Sequence, residues 1–131
     1  MEPSEFIQPG LEKEETFTVE EQHTAAHVGS GTVRVLATPW MIAFMEITAR
    51  KLLDEHLPDG YSSVGVLVNV RHLAPASLGS QVIANARVQD VDGNRVTLAV
   101  EVREGDKRIG AGLHERHVIE VERFLKRVGG P

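Results

Sequence analysis

Apolar and polar residues alternate with a period of two in several stretches of this chain, and follow the period of a helix in only one. In "ETFTVE" Phe17 and Val19 alternate with polar neighbours, which predicts a first strand. "SVGVLVNVRHLA" sets Val64, Val66, Val68, Val70 and His72 on one face of a second, and "SQVIANARVQDV" does the same with Val82, Ala84, Ala86 and Val88. Asp92-Gly93 predicts a hairpin into "RVTLAVEVR", where Val96, Leu98, Val100 and Val102 alternate. Gly105-Asp106 predicts another tight turn, into a long last strand "KRIGAGLHERHVIEVE".

The helical period runs through "TPWMIAFMEITARKLLDEH". Thr38 and Pro39 read as N-cap and first helical residue, and Pro58-Asp59-Gly60 cannot continue the helix, which is therefore expected from about Pro39 to His56. Met41, Ile42, Met45, Ala49, Leu52 and Leu53 form one stripe and Trp40, Phe44 and Ile47 a second, so the first two turns are apolar nearly all round. Before the helix, Gly29-Ser30-Gly31 reads as a flexible connection and Thr32 to Leu36 as extended. Residues 1–10 and 127–131 read as loose tails of one domain spanning 1–131. A strand, a long helix and four antiparallel strands predict an α+β layer architecture.

Composition narrows the chemistry. The chain has 131 residues, one ordinary domain, with 14 basic against 19 acidic residues and the basic ones dispersed, which argues against a nucleic-acid partner. No apolar run approaches the roughly 20 residues of a membrane span and the first residues lack a leader pattern, so no membrane association and a cytoplasmic location are expected. With no cysteine, neither a thiolate nucleophile nor a thiolate metal site is available. His23/His27 and His114/His117 have ligand-like spacings. The first pair falls outside any expected helix and the second has opposite parity on a strand, so no metal is expected.

Three residues invite a chemical reading. Glu46 sits within Trp40, Met41, Ile42, Phe44, Met45 and Ile47, where an unpaired carboxylate is costly. It is either half of an ion pair, with Arg50 or a strand arginine, or a carboxylate tuned for catalysis. Thr38 is either a plain cap or part of an oxyanion-stabilising helix start, and His72 either a satisfied inward imidazole or a proton shuttle. Together they supply the roles that acyl transfer requires. Val33, Val35 and Leu36 in the segment before the helix are apolar enough to cover an acyl chain.

"ATPWMIAFME", "VGVLVNVRHLAPA" and "GAGLHERHVIEVERF" resemble the fluoroacetyl-CoA thioesterase family of hot-dog fold proteins, with similarity from about Phe17 to Phe124. The resemblance implies one long central helix wrapped by a curved antiparallel sheet of about five strands. It also implies a homodimer, an acyl-CoA substrate and no cofactor beyond the coenzyme A of that substrate. In the family a helix Thr and a Glu eight positions on act with a strand His 26 positions further, which falls on Thr38, Glu46 and His72 as catalytic residues. A Gly seven positions before that His shapes the acyl pocket, matching Gly65, and "HER" recurs as His114, Glu115 and Arg116. Gly65, Arg116, Val35 and Leu36 are thus the expected substrate-side residues, with Arg116 also expected to hold Glu46 ionised.

Two features depart from a plain transfer. The segment before Thr38 is shorter than in the fluoroacetyl enzyme and has no phenylalanine, so selectivity for a fluorinated acyl group is not implied. Strict alternation also sets Gly65 and His72 on opposite faces, which a bulge or a backbone role for Gly65 would reconcile. The expected function is hydrolysis of a small acyl-CoA thioester; the alternative is a non-catalytic acyl-CoA binding or sensing module of the same fold.

Overall fold

A computed structural model describes residues 2–129. Five strands, β1 (Glu12–Thr18), β2 (Tyr61–His72), β3 (Gln81–Asp92), β4 (Arg95–Glu104) and β5 (Lys107–Glu120), form one antiparallel sheet ordered β1-β3-β4-β5-β2. Among the described residues three α-helices accompany them: α1 (Ala25–Val28), the long α2 (Thr38–Asp54) and α3 (Val121–Arg127). The sheet packs around α2, which makes this the hot-dog arrangement. No helix among the described residues is long and apolar enough to cross a membrane.

The alternation read in the sequence is the core. Val82, Ala84, Ala86 and Val88 of β3 and Val96, Leu98, Val100 and Val102 of β4 are buried against Met41, Phe44, Met45, Ala49, Leu52 and Leu53 of α2. Burying a Val, Leu or Met side chain contributes about 1.5–3 kcal/mol, so this face decides which way α2 turns. Both two-residue turns carry their positive φ at the first central residue, Gly93 (φ 61°) and Gly105 (φ 57°), the pattern of a type II′ hairpin.

Several expectations need correction. Only β3, β4 and β5 form a meander; β2 crosses to pair with β5 at one edge, and β1 pairs with β3 at the other. Helix α2 starts one residue early: Ala37 is extended and caps it, while Thr38 is already helical. The expected lead-in over 1–10 holds a short 3-10 turn, Pro3–Glu5, and buries Ile7 completely in the core. The helix α1 was not foreseen, although Thr24 caps it by accepting from the His27 N–H at 3.3 Å. The last strand ends at Glu120 and α3 follows, covering Arg127 of the expected tail; Gly130 and Pro131 lie outside the described residues.

The row Val64, Val66, Val68, Val70, His72 is broken by a bulge. Gly65 pairs with Arg116 and Leu67 with Glu115, leaving Val66 as the extra residue. Parity inverts there, so Ser63 and Gly65 share a face with Val68, Val70 and His72.

Candidate active site

At the start of α2 the extended Ala37 does the capping, and its carbonyl accepts from the N–H of both Trp40 (3.0 Å) and Met41 (2.9 Å). The Thr38 hydroxyl is therefore free of capping and lies 2.7 Å from His72 Nδ1. Pro39 has no N–H and the Trp40 and Met41 N–H groups are taken by Ala37, so the helix start does not present a ring of free amides beside the Thr38 hydroxyl. The other imidazole nitrogen, His72 Nε2, is buried without a hydrogen-bond partner among the described residues. Burial pushes the His72 pKa below the usual histidine value, the Ala74 backbone opposing in part, which keeps the ring neutral near pH 7.

Two turns on, Glu46 is less buried than its apolar neighbours imply, with 39% of its side chain exposed. It faces edge strand β2 at Gly65, where no side chain covers it. Arg50, one expected partner, instead pairs with Asp54 at 2.9 Å. The other, a strand arginine, is present: Arg116 Nη1 lies 3.6 Å from Glu46 Oε2, and the buried His114 Nε2 lies 3.9 Å from the same oxygen. Arg116 donates to Ser63 Oγ through Nε (2.8 Å) and to the Ser63 carbonyl through Nη2 (2.9 Å). Burial lowers the Arg116 pKa while Glu46 raises it, and a guanidinium stays charged under both.

Gly65 has a physical reason to be glycine. A Cβ there would stand 2.5 Å from Glu46 Oε2 and 3.3 Å from His114 Cε1. The carboxylate is the mobile end of a long side chain, so Gly65→Ala is expected to fold with little change in Tm and to displace Glu46. Misplacement by about an ångström lowers turnover on the order of 10²-fold, measurable as kcat/KM beside a thermal melt.

The residues expected to act together form two clusters in one chain. Thr38 with His72 is one; Glu46 with Gly65, Arg116 and His114 is the other. Glu46 lies eight positions after Thr38 on the helix, about 12 Å along the axis. Among the expected substrate-side residues, Leu36 is a core residue, fully buried, and Val35 is held by a bridge to Ser77 and by its carbonyl accepting from Ala25 N–H. Arg116 is likewise buried, and the groups it meets within the chain are Ser63, His114 and Glu46. Val33 is the exposed apolar residue of that segment, at 59%. His23 packs edge-on against Trp40 and Phe44 and accepts from the Glu20 N–H at 3.0 Å, which accounts for it structurally. His114 is the site residue that sequence reasoning noticed but did not use; its parity with Arg116 on β5 was the available signal.

A family model described as fluoroacetyl-CoA-specific thioesterase matches residues 19–122. A fluoroacetyl-CoA thioesterase of Streptantibioticus cattleyicolor is 34% identical over 94 residues, covering 72% of this chain and 68% of that protein. Among solved structures, the fluoroacetyl-CoA thioesterase FlK superposes with a TM-score of 0.87 at 29% identity, over 94% of this chain and 96% of that one. A hot-dog-like protein from Thermanaerovibrio acidaminovorans reaches 0.89 at 31% identity over 98% and 96% of the two chains. A thioesterase superfamily member from Thermus thermophilus reaches 0.83 at 33% identity, over 94% and 93%.

Proposed function

This chain belongs to the fluoroacetyl-CoA-specific thioesterase family of thioester hydrolases, and from that membership we propose that it hydrolyses a small acyl-CoA thioester with Thr38, Glu46 and His72. One observation carries the assignment: the Thr38 hydroxyl meets His72 at 2.7 Å instead of capping its helix. FlK, the similar protein, has been solved as a mutant with acetyl-CoA, which supports a short acyl group.

The working form is a homodimer. Strand β2 has a partner on one side only, and its free edge exposes Val66 (55%), Leu67 (43%) and Val68 (40%), an apolar edge that self-pairing would cover. Two-fold antiparallel pairing of β2 about Val68 and Asn69 would bring His72 of one subunit opposite Gly65 of the partner subunit. The Thr38–His72 cluster of one chain then meets the Glu46 cluster of the other, which removes the 12 Å separation and yields two sites per dimer.

In each site the thioester carbonyl sits by the Thr38 hydroxyl and amide. Glu46 delivers the oxygen, as base on a water or as nucleophile, and the C–S bond breaks. Neutral His72 takes up, directly or through Glu46, a proton of the water that is consumed and hands it to the departing thiolate, leaving a carboxylate, free coenzyme A and the water's other proton. The test is thiol release from acetyl-, fluoroacetyl- and phenylacetyl-CoA. Turnover of at least one is expected. Binding of all without turnover of any would replace this reading with the non-catalytic acyl-CoA module.

A further inference from the structure

Buried histidines usually have one satisfied role, whereas His114 joins three parts of the Glu46 cluster. It is 1% exposed on β5. Its Nδ1 lies 2.9 Å from the Leu67 carbonyl, an atom that can only accept, so Nδ1 carries the proton. The neutral ring then has a bare Nε2, which accepts from Arg116 Nη1 at 3.1 Å. A second proton on Nε2 would point at the guanidinium; burial first and Arg116 in addition hold the ring neutral.

Both contacts bear on geometry. Leu67 directly follows the bulge at Val66, so the Nδ1 bond anchors β2 where its parity inverts and Gly65 turns toward Glu46. The Nε2 bond adds a third point to the two that Arg116 makes with Ser63, defining the guanidinium plane and aiming Nη1 at Glu46 Oε2. The charged groups around this cluster are Glu46, Arg50 and Asp54 from α2 and Arg116 from β5.

We propose that His114 is a positioning residue for the Glu46 carboxylate, acting as a fixed donor to the bulge at Leu67 and a fixed acceptor for Arg116. This rests on the proposed thioesterase reading, in which Glu46 is the working carboxylate.

The test compares wild type, His114→Leu and His114→Gln for kcat and KM on whichever acyl-CoA the wild type turns over, each with a thermal melt. Leucine fills the space and offers neither bond. Glutamine offers an amide N–H to Leu67 and an amide oxygen to Arg116. Supporting groups of this kind are typically worth about 10–100-fold in activity, so His114→Leu is expected to lose that much in kcat with KM within about twofold. His114→Gln is expected to recover most of it. A folded His114→Leu with wild-type kcat overturns the proposal, as does loss in both variants alike, since a packing role would not distinguish them. Should His114→Leu fail to fold, His114→Asn replaces it: the shorter amide reaches Leu67 but not Arg116, and a wild-type kcat there overturns the proposal equally. Glu46→Gln runs alongside, because near-wild-type turnover in that variant removes Glu46 as the working carboxylate, the reading on which this proposal rests, whatever His114 does.

Discussion

Glu46→Gln is expected to lower kcat/KM for an acyl-CoA thioester by roughly 10²–10⁴-fold while the protein folds as before. The side chain keeps its shape and an acceptor oxygen for Arg116, which remains held by Ser63 and His114. What disappears is the basic, nucleophilic oxygen beside Gly65. Parallel far-ultraviolet circular dichroism and a melt separate the two effects. A folded Glu46→Gln with near-wild-type turnover would exclude Glu46 from the chemistry.

Turnover in His72→Ala is expected to fall by a similar factor, whereas Thr38→Ser, which keeps the hydroxyl beside Nδ1, is expected to fall much less. The pH dependence has a definite sign. In the proposed mechanism His72 accepts a proton as a neutral ring, and burial lowers its pKa from the ordinary 6.5, so the acid limb expected from it in kcat/KM lies below 6.5. Stability follows the same direction. Below 6.5 the unfolded chain takes up a proton on this histidine that the folded chain resists, so stability declines as pH falls through 6.5 and levels off below the folded pKa. His114, also lowered by burial, adds a decline of the same sign that should survive in His72→Ala.

Mixing the two inactive variants tests the shared site. In a mixed dimer one site would unite the intact His72 of the Glu46→Gln chain with the intact Glu46 of the His72→Ala chain, and the other site would have neither. Co-expressed and refolded mixtures are therefore expected to regain activity, up to about half that of wild type per mixed dimer. Recovery is impossible if each chain builds its own site, so a mixture as inactive as its parents overturns the shared arrangement.

What the sequence by itself determined is what local period and turn chemistry encode. The apolar faces of β3 and β4, the two glycine turns and the single long helix are legible without a fold, because each depends on neighbours a few positions away, while the spacing of Thr38, Glu46 and His72 is legible only through the family resemblance. Tertiary structure alone decided the rest. The bulge at Val66 is set by how β2 pairs with β5, and it turns Gly65 to the face of His72. The capping by Ala37 depends on where the chain enters the helix from its bridge between Thr24 and Leu36, and it releases the Thr38 hydroxyl to His72. Glu46 and Arg116 are far apart in the chain and meet only because an edge strand with a glycine leaves room between helix and sheet. Such contacts arise from pairing, register and burial across distant elements, which no local pattern of apolar and polar residues records.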